Sequence, residues 1–167
     1  SHDIFLLNPE TNSELAAGFY KRTNTDEWKA VNAAGLEGEL SALALHPSDS
    51  NLVAAATSTG VYVSEDGGEQ FNRITNEAAR GTAVFFNETE LYYASYKESA
   101  KLTKYTITSQ KEEQVNLPNF TQDAVAFISQ NPANKDEIGL YTLQGEVLLT
   151  QDNGSTWLPL LQEGNVD

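Results

Sequence analysis

The chain has 167 residues, and its 24 Asp and Glu against 10 Lys and Arg give a net charge of −14. Such a surface repels nucleic-acid phosphate and anionic lipid, which argues against both as partners. Cysteine is absent, so there is no disulfide framework, thiol nucleophile or thiolate metal site, and no apolar run approaches the roughly 18–20 residues of a membrane span.

Short apolar runs bounded by Gly, Pro and Asn read as strands from one end of the chain to the other. A first strand is expected at Ile4-Phe5-Leu6-Leu7-Asn8-Pro9 and a further one at Gly18-Phe19-Tyr20-Lys21, followed by a polar turn that reaches Trp28. The next unit is clearer. Leu43-Ala44-Leu45-His46-Pro47 is followed by the turn Ser48-Asp49-Ser50, the strand Leu52-Val53-Ala54-Ala55-Ala56, and the strand Gly60-Val61-Tyr62-Val63. Residues 76–80 allow at most one helical turn. A third unit runs through Ala83-Val84-Phe85-Phe86, Leu91-Tyr92-Tyr93-Ala94 and Leu102-Thr103-Lys104-Tyr105-Thr106-Ile107, with a turn at Ser109-Gln110-Lys111-Glu112. The fourth repeats the second, with Phe127-Ile128-Ser129-Gln130-Asn131-Pro132, Ile138-Gly139-Leu140-Tyr141 and a tight turn at Gly145.

One motif sets the period. Residues 64–71 and 150–157 both read Ser/Thr-x-Asp-x-Gly-x-x-aromatic, and the copies start 86 residues apart, two periods of 43. Trp28 lies one period before Phe71, so the aromatic position persists where the rest of the motif has decayed. A strand-rich repeat of this length implies an all-β chain, a β-propeller of four-stranded antiparallel blades. The whole chain, 1–167, reads as a single domain with four units at about 3–39, 40–80, 81–118 and 122–161.

Each residue of the motif has work to do in a tight reversal. The carboxylates of Asp66 and Asp152 accept hydrogen bonds from backbone N–H groups further along the turn, and the hydroxyls of Ser64 and Thr150 add to them. Gly68 and Gly154 supply positive φ. Phe71 and Trp157 lay a ring over the hairpin. The string His46-Pro47, Leu52, Gly60-Val61-Tyr62, Ser64-Glu65-Asp66-Gly67-Gly68 and Phe71 resembles an Asp-box (BNR) repeat, as found in propellers of sialidases, sortilin-type receptors, xyloglucanases and a photosystem II assembly factor. The resemblance covers essentially the whole chain. It implies that the boxes lie at the blade periphery, are structural, and stand apart from any ligand site.

Catalytic constellations are not found. A sialidase needs three converging arginines, and the chain holds only Arg22, Arg73 and Arg80, with Arg22 in the decayed box. A xyloglucanase-like cleft needs two facing carboxylates between two propellers, and one small domain does not build it. His46 sits among amides at its matched positions, Asn8 and Asn131, and reads as a turn acceptor rather than a metal ligand. The acidic turns read as solvated rather than as calcium sites, so no metal and no cofactor is expected.

The expected partner face carries the loops that link the units, with Arg80, Tyr96, Lys97 and Lys101 as candidates, because aromatic and cationic groups together make good hot spots. The leading expectation is a non-enzymatic binding or assembly module that recognises a protein through this face. The alternative is a carbohydrate-binding or glycoside-hydrolase-related propeller. The missing methionines and the tag-like Ser1-His2 suggest a removed natural start and an exported bacterial protein. Four units give either a small four-bladed ring or part of a larger one. A partial ring leaves apolar blade faces at both ends, which self-association of two chains would cover.

Overall fold

The computed structural model describes residues 4–8, 18–22, 27–76, 78–120, 122–162 and 165–166. Among these there is no helix; the chain forms four antiparallel sheets in succession. The first holds β1 (Ile4–Asn8), β2 (Gly18–Arg22) and β3 (Lys29–Val31). The second holds β4 (Leu40–Leu45), β5 (Val53–Thr57), β6 (Gly60–Ser64) and β7 (Asn72–Arg73). The third holds β8 (Arg80–Phe86), β9 (Leu91–Tyr96), β10 (Ala100–Thr106) and β11 (Lys111–Val115). The fourth holds β12 (Val125–Asn131), β13 (Asn134–Thr142), β14 (Val147–Thr150) and β15 (Leu158–Gln162), with the two-residue β16 (Asn165–Val166) added at its edge.

Strands follow one another in each sheet in chain order, the meander expected from short turns between apolar runs. The leading strands β4, β8 and β12 pack successively against one another, so the sheets stand as blades around a common side. This is a β-propeller. The first sheet differs from the sequence alignment in one respect. Leu6 pairs with Tyr20 as Ala55 pairs with Tyr62, so β1 takes the second-strand place rather than the first. The segment 9–17, between β1 and β2, lies outside the described residues.

Three cores lie between the four blades. Phe19 and Val31 meet Val53, Ala55, Tyr62 and Phe71 between the first and second. Ala54, Ala56, Val61 and Val63 meet Phe86, Leu91 and Tyr93 between the second and third. Ala83, Tyr92, Ala94 and Leu102 meet Val125, Ile128, Ile138 and Leu140 between the third and fourth. Successive side chains of a strand point to opposite faces, so β9 sends Leu91 and Tyr93 one way and Tyr92 and Ala94 the other. Both faces are covered, and the strand is buried along almost its whole length. Each fully buried side chain of this size contributes about 1.5–3 kcal/mol.

Candidate functional site

The two motif turns are built alike. The Ser64 hydroxyl donates to Asp66 Oδ1 at 2.8 Å and accepts the Gly68 N–H at 2.8 Å, while Asp66 Oδ1 also accepts the Gln70 N–H at 3.0 Å. In the second copy the Thr150 hydroxyl donates to Asp152 at 2.7 Å, accepts the Gly154 N–H at 2.9 Å, and Asp152 accepts from the Thr156 N–H at 2.7 Å and hydroxyl at 2.6 Å. Gly68 and Gly154 have φ of 95° and 87°. The N–H of Gln70 and the Ser64 hydroxyl hold the Asp66 carboxyl below the usual carboxylate range. The hydroxyl and N–H of Thr156 press Asp152 down to about 2. These carboxylates are permanently charged acceptors at neutral pH, consumed by their own turns.

The aromatic of each turn reaches the preceding blade. Phe71 meets Phe19 edge-on at 6.3 Å, and its N–H donates to the carbonyl of Ala34 in the segment that leads out of the first sheet. The Trp157 ring N–H donates to the carbonyl of Asn116, just past the third sheet. The turn of the third sheet has no such motif and closes through Gln110 at φ 53°. Of the decayed first copy, residues 23–26 lie outside the described set; the Arg22 guanidinium lies 5.6 Å over the Trp28 ring.

His46 is occupied by a turn. Its Nδ1 accepts from the N–H groups of Ser48 and Asp49 at 3.3 and 3.1 Å, as the side-chain oxygens of Asn87 and Asn131 accept from Thr89, Glu90 and Ala133. Among the described residues no cluster of three or more His, Asp or Glu is placed to hold a metal ion.

The open space lies between the second and third blades. The outer strand β7 has only two residues, whereas its neighbour β11 has five, so the third blade extends beyond the second and leaves a furrow alongside it. One section, about 450 Å³, is lined by Thr75, Asn76, Tyr93, Lys97, Lys101 and Glu112 among others. The next, about 460 Å³, runs past Asn76 and Glu112 to Arg73, Tyr105, Gln110 and Glu65. Shared walls make them one channel, from the β9–β10 turn at one end to the Ser64 turn at the other.

Its floor is a ladder row. Tyr93 pairs with Thr103 and Thr103 with Gln114. The Tyr93 hydroxyl donates to Glu112 at 3.0 Å, and Gln114 donates to Thr103 at 2.7 Å. Burial pushes the Tyr93 and Tyr105 phenols up, so both remain neutral donors. Both signs of charge stand along it, Lys97, Glu98 and Lys101 at the β9–β10 end and Glu112, Arg73 and Glu65 further along.

Of the four candidate residues, the structure brings Lys97 and Lys101 to this channel. Arg80 and Tyr96, register partners at the same end of the sheet, are not among its walls. The sequence reading missed Asn76 and Glu112; alternation along β9 turns Tyr93 to Glu112 and away from the face that carries Tyr92.

No protein family matches the sequence, and no curated protein matches it either. Solved structures do match. The GH74 enzyme of Niastella koreensis is 18% identical with a TM-score of 0.68, over 88% of this chain and 27% of that one. An ancestral GH74 enzyme is 18% identical with a TM-score of 0.68, over 84% and 21%. YCF48 bound to D1 peptide is 19% identical with a TM-score of 0.67, over 86% and 47%. These likenesses establish the propeller fold, and the chain spans less than half of each matched structure.

Proposed function

We propose that the chain is a non-enzymatic binding module of Asp-box type, and that the channel between its second and third blades takes an extended segment of a partner protein. The observation that carries this reading is the lining. Amide and hydroxyl groups of Asn76, Thr75, Thr103 and Gln114 alternate with charges along an open furrow, which suits a peptide backbone with its repeated N–H and C=O groups. Lys97 and Lys101 take an acidic group of the segment, and the mixed charges of Glu112, Arg73 and Glu65 meet polar groups further along it. Tyr93 and Tyr105 are buried in the floor and offer no free ring face for a sugar to stack on. YCF48, a structural neighbour, was solved with a peptide.

GH74 enzymes are structural neighbours too, so the test pairs a peptide array with a glycan array. The expected result is binding to extended peptides with an acidic end, weakened roughly ten- to thirtyfold by Lys97→Glu with Lys101→Glu, the effect of losing about 1.4–2 kcal/mol. Binding confined to the glycan array overturns the reading in favour of a carbohydrate-binding propeller.

A further inference from the structure

The outer strand of the third blade is an open edge. β7 has two residues and β3 three, while β15 carries β16 along its far side. β11 has five residues, and among the described residues it has no strand beyond it. Four of its five side chains are exposed. An edge of this kind presents alternate N–H and C=O groups to any strand that lies alongside.

The two faces of β11 open on different spaces. Glu112 and Gln114 line the channel, where Glu112 accepts from Tyr93. Glu113 turns the other way and meets Lys104 at 3.3 Å. On that side a recess of about 220 Å³ is bounded by Lys104, Glu113, Asp152 and Ser155 among others. Gln114 borders both spaces, so the edge of β11 is the divide between them. The charge of the recess is one-sided. Lys104 is shared between Glu113 and Glu90, and Asp152 adds a further carboxylate.

We propose that the partner segment adds to β11 as an antiparallel fifth strand of the third blade, with a lysine or arginine opposite Glu113. The proposal rests on the reading of the channel as a peptide site. Successive side chains of an added strand point to opposite faces. Those opposite Glu112 and Gln114 lie over the channel, and the one opposite Glu113 enters the acidic recess. Main-chain bonds then supply affinity, and the two spaces supply specificity. The fold makes the same addition within itself, where β16 pairs antiparallel on β15. Because Val115 pairs with Leu102, an antiparallel segment starts near Lys97 and Lys101 and ends near Lys111. Its acidic group therefore precedes its basic one. The charges of Lys111, Glu112 and Glu113 deter apolar strands from this edge, so the segment that fits carries charge of its own.

A peptide selected from the array, remade with a backbone N-methyl group at one residue at a time, tests this on the unaltered protein. A methyl on an N–H that faces β11 removes a donor and blocks the approach of the strand. Affinity should fall about tenfold or more at every second residue along the paired stretch, with the residues between tolerating the methyl. Glu113→Lys alters an exposed position and should keep the unfolding transition. It should weaken the selected peptide about tenfold and turn the preference at one peptide position from basic to acidic. Binding that Lys97→Glu with Lys101→Glu weakens, but with no alternation in the methyl scan, overturns strand addition and leaves the channel reading standing. Alternation that is indifferent to the charge at Glu113 overturns the pairing assigned to that residue. No peptide binding at all overturns both readings.

Discussion

The ring N–H of Trp157 donates at 2.7 Å to the carbonyl of Asn116, 41 residues earlier in the chain. The bond ties the last motif turn to the end of the blade before it. Trp157→Phe keeps the ring and removes the donor. The expected loss is about 1 kcal/mol, whereas Trp157→Ala also empties the packing and should cost about 3 kcal/mol or more. Urea unfolding of the two variants separates these contributions.

Asp152 gives a pH signature. Its folded pKa, about 2, lies below the ordinary aspartate value of about 3.9, so the charged form is the one the fold favours. Its stabilisation is fully present above the unfolded value and is lost as pH falls from about 5 toward 2. Thermal midpoints should drop across that window, and Asp152→Asn should flatten the drop. The same sign holds for Asp66.

Two glycines with similar φ separate strain from collision. Gly145, at 92°, has nothing near the position a Cβ would take, whereas a Cβ on Gly154, at 87°, runs into Val115 of the third blade. Gly145→Ala should cost only the left-handed backbone, about 1–2 kcal/mol. Gly154→Ala should cost clearly more, as read by chemical denaturation.

His46 is replaceable by the residue its repeats use. His46→Asn retains a side-chain acceptor for the Ser48 and Asp49 N–H groups and should be close to neutral. His46→Ala leaves them without it and should cost about 1 kcal/mol. The thermal midpoints of the two variants check this.

Much of the architecture is legible in the sequence because its signals are local. Ser64, Asp66 and Gly68 bond within four residues of one another, so their spacing is preserved in the string itself. The channel is not legible in this way. It depends on β7 stopping after Arg73 while β11 continues to Val115, a difference in strand length between neighbours that meet only in three dimensions. Lys97 and Lys101 were recognisable as a cationic end of a loop, but Glu112 reaches the same channel through a bond to Tyr93 across two strands. Phe127 and Tyr141, exposed on the outer face of the fourth blade, show a third kind of gap. Their alternation is that of any blade residue, and nothing in it distinguishes a covered face from an open one.

Hydrogen exchange on the protein with and without a peptide selected from the array tests the central claim, that the channel between the second and third blades is the binding site. The account predicts slowed exchange in residues 75–79 and 97–103, with no change at the outer face of the fourth blade. Slowing confined to that fourth-blade face, with residues 97–103 unaffected, would contradict it.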